Sequence, residues 1–522
     1  MNTQKKQTFK LGVMTLAIMN VAAVVSLRGL PAEAEYGLSS AFYYLFAAAV
    51  FLLPTALVAA ELAAMFKDKQ GGVFRWVGEA MGSRAGFVAI WLQWLESTIW
   101  FPTVLTFGAV SIAFIGMDHT MDMSLASNKM YTLVVVLVIY WAATFIALKG
   151  MEWVSKVSKI GAMVGTIIPA GLLIILGGIY YFSGGPIEMN MNQSFFPDLT
   201  KLDNLVLASG IFLFYAGMEM MGIHVVDIKN PGKNYPKAVF IGSIITVLIF
   251  VLGTYALGFI IPAKDINLTQ SLLIGFDNFF AYLHLSWLSP VIAIALMFGV
   301  LAGVLTWVSG PSKGLLTVGR AGYLPPFFQK TNKLGIQRNI LLIQGGIVTF
   351  LSLLFVVMPS VQSFYQILSQ LTVLLYLIMY LLMFAAAIVL RYKLPQFQRP
   401  YRIGGGKTNF LMWAVAGLGL AGSLLAFVLS FIPPSQISTG SNTVWYSVLI
   451  FGCIISVGIP FIIYQMRKKS WVSTNKDEAF QAFQWQLTPQ ERKAELAAQA
   501  SAAEQEAQTK QNNKNNKIES AK

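Results

Sequence analysis

The feature that most constrains this chain is a series of long apolar segments that recurs through residue 466. Each has about 20 residues or more, enough to cross a bilayer core of roughly 30 Å as an α-helix. Only helices and closed barrels satisfy backbone groups in lipid, and uninterrupted runs of this length are helical, so the sequence predicts an all-α membrane protein. We count twelve segments, near residues 11–30, 38–66, 84–117, 129–148, 159–183, 204–227, 237–262, 287–318, 340–358, 364–391, 409–432 and 444–466.

Composition excludes a soluble domain. The chain is 56% hydrophobic and only 11% charged, with a mean hydropathy of +0.64. Soluble domains carry about 25% charged residues, so this chain is expected to lie among membrane lipids.

The net charge of +14 follows the predicted topology and does not gather on one domain. With the N-terminus inside, alternate loops on the inner side hold 26 of the 37 basic residues, whereas the outer loops hold only Lys129, Lys201 and Lys264. This asymmetry is the positive-inside pattern of helical membrane proteins, and it predicts that both termini are cytoplasmic. It argues against a nucleic-acid partner.

Two of the apolar segments, the first and the sixth, are interrupted by residues that suit an unwound backbone. The interruptions are "IMNVAAVVSLRGLP" at 18–31 and "YAGMEMMG" at 215–222. Five helices per repeat would place the second copy upside down in the membrane, so the spacing predicts a five-plus-five inverted repeat with two extra helices. The predicted parts are a cytoplasmic N-terminus (1–10), a transport core (11–183 and 204–391), helices 11 and 12 (392–466) and a polar cytoplasmic tail (467–522).

Three acids lie within the predicted spans, where ionisable groups are rare and costly. Glu219 adjoins the second interruption, so it either belongs to a site there or pairs with a neighbouring helix. Glu61 lies near the inner end of span 2 and is expected to be structural, reaching the interface. Glu96 is deeper, where loss of water favours a protonated proton carrier; the alternative is a hydrogen bond to Ser97, Gln93 or a facing helix.

Other polar and aromatic residues leave their roles open. Arg28, beside the first interruption, would either guide an acidic substrate or extend to the outer interface. Tyr215, Trp307 and Tyr376 would wall off a pocket or simply pack. The single cysteine, Cys453, and the three separated histidines lack metal-ligand spacing, and no phosphate-binding glycine loop occurs. No metal, cofactor, ATP-driven pump or enzyme is therefore predicted, and nothing in the sequence indicates an oligomeric state.

Several motifs resemble those of the amino acid–polyamine–organocation (APC) superfamily, and within it the bacterial glutamate/γ-aminobutyrate antiporters. The resemblance covers roughly residues 10–466. It is carried by "AAEL" with "GGVFRWV" (59–77), "FFPDL" (195–199), "YAGMEMMGIHVVDIKNPGKNYPKA" (215–238), "GVLAGVLTWVSGPSKGLL" (299–316), "LTVLLYLIMYLLMF" (371–384) and "FIPP" (431–434).

This resemblance implies a twelve-helix APC fold in the bacterial cytoplasmic membrane that exchanges an external amino acid for its decarboxylated amine, which aids acid resistance. Helices 1 and 6 would line the central site, completed by helices 3, 8 and 10. The residues it assigns to substrate binding are Val24, Val25, Ser26, Leu27, Tyr215, Gly217, Glu219, Trp307 and Tyr376. Glu96 is the proton-coupling candidate. The alternatives are a proton-coupled symporter, with Glu96 or Glu219 carrying the proton, and a sensor that signals through its tail.

The chain departs from these antiporters at three places. It reads "SLRGLP" where they have a tyrosine and an acid before the proline, and Gly303 stands where they have a glutamate. Their cytoplasmic C-terminal segment can plug the inner vestibule, but this tail has no histidine to trigger such a plug. A solvated helix with a disordered end is the simpler expectation for it.

Overall fold

The structure is a computed structural model that describes residues 12–198, 207–220, 231–405, 408–434, 441–473 and 480–499, with the single residues 501 and 508. Across these ranges the chain forms helices and one isolated antiparallel bridge, between Ala321 and Val472. The helices are α1 Val13–Val24, α2 Leu30–Ala34, α3 Gly37–Met65, α4 Val73–Met81, α5 Ser83–Ala113, α6 His119–Ser127, α7 Lys129–Leu148, α8 Glu152–Phe182, α9 Gly210–Tyr215, α10 Pro231–Ile260, α11 Ser271–Tyr282, α12 Ser289–Arg320, α13 Arg338–Val357, α14 Val361–Lys393, α15 Phe410–Leu429 and α16 Asn442–Met466.

Ten helices in the described ranges are long and apolar enough to cross a membrane. They are α3, α5, α7, α8, α10, α12, α13, α14, α15 and α16, and they coincide with ten of the predicted segments. The two remaining predicted segments contain only short helices, the 12-residue α1 and the apolar stretch Gly210–Met220. Their interruptions are the reason, because neither half is long enough to cross a bilayer.

The first break separates α1 from α2. Val25 and Ser26 are extended, with ψ angles of 121° and 108°, and a tight turn over Leu27–Gly29 follows. Pro31 stands at the start of α2, where its missing amide hydrogen costs nothing. Gly29 allows the close approach of the second broken segment, because an added Cβ would lie 2.4 Å from the ring of Phe214.

The second break follows α9. Ala216 is extended with ψ 157°, and Gly217 has a φ of +108°, a conformation that glycine adopts without strain. A turn then continues to Met220. Residues 221–230, including His224, lie outside the described part of the chain.

Helix α5 is the central element of the bundle. It packs against α12, α14 and α4. Of the residues in its most apolar 18-residue stretch, 89% are buried. The corresponding values for α15 and α16 are 33% and 22%, so the last two helices lie at the periphery. Side chains that α5 presents at mid-length are therefore enclosed by protein.

The tail is packed against the bundle at residues 480–486, contrary to the expectation of a simply solvated segment. Arg75 on α4 donates to the carbonyl oxygens of Gln481 and Ala482, the latter at 3.0 Å. The Arg75 guanidinium also lies over the rings of Phe480 and Phe483, with centroid distances of 4.1 and 4.8 Å. Apolar and aromatic residues within the polar tail thus anchor it to α4.

Candidate functional site

A cavity of about 120 Å³ lies between the two breaks. At about 10–15 Å³ per water position, it has room for roughly ten water-sized groups, the scale of a small metabolite. Its walls come from the first break, α5, α8, α9 and its following residue, α12 and α14. They include Val24, Val25, Ser26, Leu27, Arg28, Glu96, Ser97, Trp100, Thr166, Phe214, Ala216, Gly303, Thr306, Trp307 and Tyr376.

Most of the residues predicted for the site meet at this cavity. Those that line it are Val24, Val25, Ser26, Leu27, Glu96, Trp307 and Tyr376. The other three, Tyr215, Gly217 and Glu219, do not line it. The amide of Val25 donates to the carbonyl oxygen of Val21 at 2.8 Å, the last helical bond of α1, and the extended backbone after it leaves peptide groups available beside the cavity.

Glu219 is buried directly behind the cavity wall, with 2% of its surface exposed. Tyr376 and Tyr380 each donate a hydroxyl to its carboxylate at 2.5 Å, and Gln93 donates its amide at 3.0 Å. The backbone amide of Gly217 donates to the Tyr380 hydroxyl at 2.8 Å. Glu219 therefore fixes the orientation of Tyr376, whose ring faces the cavity, and joins the second break to α14.

Tyr215 is packed between helices. It is fully buried, its hydroxyl donates to the carbonyl oxygen of Tyr44 at 3.3 Å, and its ring lies 5.6 Å from that of Phe250. These contacts hold α9 against α3 and α10.

Glu96 lines the cavity with 2% of its surface exposed, and its Oε1 has no hydrogen-bond partner in the described part of the chain. The local partners considered from the sequence are occupied elsewhere. Ser97 donates to the carbonyl oxygen of Trp94 at 2.8 Å, and Gln93 donates to Glu219. A buried carboxyl oxygen without a partner is costly, so Glu96 has capacity to bind a cationic or hydrogen-bonding group.

Arg28 also lines the cavity, although it was not among the residues assigned to the site. It does not extend to an interface, since only 3% of its surface is exposed. Its Nη1 donates to the Tyr365 hydroxyl at 2.9 Å, and its guanidinium lies 5.4 Å from the ring of Phe214 and 5.6 Å from that of Trp100. The sequence signal for it was a cation immediately beside a predicted helix break.

Gly303 leaves open space on the α12 side. A Cβ added there would meet only the Trp100 ring, at 4.0 Å. A longer side chain at this position would project into the cavity, so the glycine enlarges it. In the part of the chain that the structure describes, no three His, Cys, Asp or Glu side chains are grouped as metal ligands would be.

Comparison with known proteins identifies the family of this chain. A family model described as amino acid permease matches residues 11–455. The chain belongs to the amino acid permease family. This permease is accordingly a multi-pass membrane transporter and not an enzyme, and the APC resemblance read from its motifs is confirmed.

Three transporters are similar to this chain in sequence. An uncharacterized transporter of Legionella pneumophila is 40% identical over 462 residues, which is 88% of this chain and 97% of the relative. A glutamate/gamma-aminobutyrate antiporter of Lactococcus lactis subsp. lactis is 32% identical over 464 residues, covering 88% and 91%. A probable agmatine/putrescine antiporter of the same organism is 25% identical over 469 residues, covering 88% and 95%.

Proposed function

We propose that this permease exchanges an acidic amino acid for its decarboxylated amine across the bacterial cytoplasmic membrane. It would do so by alternating access around the cavity between the two breaks. The proposal includes twelve crossings in a five-plus-five inverted repeat with two extra helices, and both termini in the cytoplasm. If the imported amino acid is decarboxylated inside, each cycle consumes a cytoplasmic proton and aids acid resistance.

One observation carries the proposal: Arg28 and Glu96 line the same cavity, and neither forms an ion pair within the described part of the chain. Buried charges of opposite sign that remain unpaired are complementary to a ligand that carries both charges. Arg28 would bind a carboxylate and Glu96 an ammonium group. The 32% identity with a glutamate/gamma-aminobutyrate antiporter supports the acidic amino acid as the substrate class.

The remaining groups of the site would complete the ligand's contacts. The amides of Ser26 and Leu27, which follow the last helical bond of α1, would hydrogen-bond the second carboxylate, and the carbonyl oxygen of Val25 would share the ammonium. Trp307 and Tyr376, whose rings meet edge to face at 6.3 Å, would cover its aliphatic part. Glu219 would act through Tyr376.

Counterflow in proteoliposomes tests the exchange. Vesicles loaded with γ-aminobutyrate are expected to take up labelled glutamate, and empty vesicles are not. The rival is proton symport through Glu96, which the unpartnered Oε1 favours. Uptake into empty vesicles driven by an imposed pH gradient would establish the rival and overturn exchange.

Arg28→Gln tests the substrate class. The variant is expected to lose the preference for glutamate over glutamine in competition for counterflow, by about tenfold or more, because a charge-assisted hydrogen bond is worth about 1.5–3 kcal/mol. Arg84→Gln is the matched control, since Arg84 lies over the ring of Tyr464 and does not line the cavity. Unchanged selectivity in Arg28→Gln would remove Arg28 from carboxylate recognition.

A further inference from the structure

Another buried acid, Glu33, stands apart from the cavity and has no role in the exchange outlined above. It lies on α2, immediately after the first break, and 0% of its surface is exposed. Neither of its carboxylate oxygens has a hydrogen-bond partner among the residues that the structure describes. The sequence did not single it out because it follows the end of the first apolar segment, where an acid would ordinarily reach water.

Three tyrosines lie within electrostatic range of Glu33 but do not hydrogen-bond to its carboxylate. Tyr43 and Tyr44 of α3 and Tyr215 of α9 interact with it electrostatically. The hydroxyl of Tyr44 is instead hydrogen-bonded to Thr254 Oγ1 at 3.0 Å, and that of Tyr215 donates to the Tyr44 carbonyl oxygen. Within the described ranges, polar groups therefore lie in the neighbourhood of the carboxyl, but none donates a hydrogen bond to it.

Four charged or titratable side chains on the neighbouring elements have other partners. On α10, Tyr255 donates its hydroxyl to Leu38, and on α11, Asp277 lies 3.5 Å from His119. Tyr282 shares a hydrogen bond with Ser183, and Arg28 donates to Tyr365. No Lys, Arg or His of the described ranges forms an ion pair with Glu33.

A buried carboxylate with neither donors nor a cation is strongly unfavourable, whereas the neutral acid is tolerated. The enclosed position of Glu33 therefore requires a bound proton. A metal cation would need several oxygen ligands, and the nearby hydroxyls of Tyr44 and Tyr215 are already bonded to protein.

Because Glu33 is fully buried, its carboxyl can reach water only if α2 moves. The helix has five residues and follows Val25 and Ser26, where the backbone leaves the helical conformation with ψ angles of 121° and 108°, so the connection can act as a hinge. We propose that Glu33 is a proton-binding site: its carboxylate takes up one proton when α2 closes onto α10 and α11, and releases it when α2 swings out to water. No covalent bond forms or breaks apart from the O–H bond of the carboxylic acid.

The site would make the conformational cycle of this permease depend on pH. A closed state that holds one more proton than the open state is favoured as the pH falls. The inference rests on alternating access in this transporter and not on which substrates it exchanges. It can therefore be tested without any substrate.

The experiment measures access of water to α2. Cys453, the chain's single cysteine, is replaced by serine, and Ala34→Cys is introduced beside Glu33 at a position with 4% exposure. A membrane-impermeant maleimide is applied in sodium-free choline buffer from about pH 5 to about pH 8, a range chosen to span a perturbed carboxyl. Labelling is normalised to Glu188→Cys, an exposed position, to remove the effect of pH on thiol reactivity.

Normalised labelling of Ala34→Cys is expected to rise by about tenfold or more from the low to the high end of this pH range. The reason is that Glu33 loses its proton as the pH rises, and the closed state requires that proton. Adding Glu33→Gln, a neutral mimic of the protonated acid, should keep labelling low and independent of pH. Glu35→Gln, which removes the next acid along the chain, should leave the rise intact.

Three results would overturn the proposal. The rise could persist in Glu33→Gln, it could disappear in Glu35→Gln instead, or Ala34→Cys could remain unlabelled at every pH. Protection that appears only when sodium is added would assign Glu33 to a metal cation and also refute the proton site. Failure of glutamate counterflow would leave the labelling result unaffected.

Discussion

Two equally buried acids, Glu61 and Glu96, have opposite surroundings. Each has 2% of its surface exposed. Arg391 donates to both carboxylate oxygens of Glu61, at 2.7 and 2.6 Å, Arg399 lies 3.2 Å away, and the backbone amide of Ile403 donates at 2.7 Å. Glu96 has no ion-pair partner in the described part of the chain, and its Oε1 is free toward the cavity.

Burial therefore does not distinguish structural from functional acids in this permease. The hydrogen-bond and ion-pair partners of each acid do. Glu61 joins the end of α3 to the end of α14 and the loop that follows it, so its carboxylate has no capacity left for a ligand. Its predicted structural role agrees with this arrangement, but it is enclosed and does not extend to the interface. Glu96 retains a carboxyl oxygen that can still accept a hydrogen bond, and a ligand in the cavity can use it.

The largest expected effect comes from removing the paired acid. Glu61→Ala should lower the free energy of unfolding by about 3–5 kcal/mol, because Arg391 would remain buried without its partner. Thermal unfolding of the detergent-solubilised protein measures the loss. Glu152→Ala is the matched control, since Glu152 forms an exposed pair with Lys156 at 2.8 Å and should cost less than about 1 kcal/mol. Equal effects in the two variants would contradict the distinction.

Hydrophobic patterning and small residues carried the fold-level predictions. Long apolar runs gave ten of the helices, and the stretches around Ser26 and Gly217 indicated where the backbone would leave the helix. These properties are local, because a helix break needs only poor helix formers and an allowed backbone conformation.

Side-chain partners could not be predicted in the same way. Glu61 and Arg391 are 330 residues apart, and Glu219 and Tyr376 are 157 apart. Helical periodicity says which face of a helix is apolar but not which helix lies opposite. Arg28, Glu33 and the tail anchor at Phe483 depend on such distant contacts, so only the folded chain reveals their environment.

Glu219 is intermediate between the two acids, because it is fully hydrogen-bonded yet adjoins the cavity wall. Glu219→Gln should reduce transport by roughly a hundredfold through the weakening of two hydroxyl bonds to a charge, each worth about 1.5 kcal/mol or more. The variant should remain folded, because glutamine keeps the shape and one acceptor. Initial rates of counterflow and an unfolding curve are measured together. Normal kinetics would show that the orientation of Tyr376 does not depend on this carboxylate.

Glu96→Gln should have a smaller effect on transport, about tenfold, since it removes one charge-assisted contact to the ligand. Its unfolding temperature should stay the same or rise, because the change removes a buried carboxyl whose Oε1 has no partner in the described ranges. Glu61→Gln should show the opposite behaviour, with lower stability. A drop in stability for Glu96→Gln, or none for Glu61→Gln, would reverse the roles given to the two acids.

The smallest effect is expected at Arg75, the third buried charge with a complete set of partners. Arg75 pairs with Glu79 at 3.0 Å, and Glu79 accepts the backbone amide of Gln484 at 2.8 Å. Arg75→Lys keeps the charge but loses the planar stacking and several donors. The free energy required to open the docked tail should therefore fall by about 1 kcal/mol.

Hydrogen exchange at the Gln484 amide reports that opening, because this amide is protected by Glu79 only while the tail is docked. Exchange in Arg75→Lys should accelerate several-fold, as a cost of about 1 kcal/mol implies. Arg84→Lys is the control, since Arg84 contacts Tyr464 and not the tail segment. If exchange were unchanged in Arg75→Lys, burial of Phe483 against Gly78 would be sufficient to hold the tail, and the buried charge would add nothing to its docking.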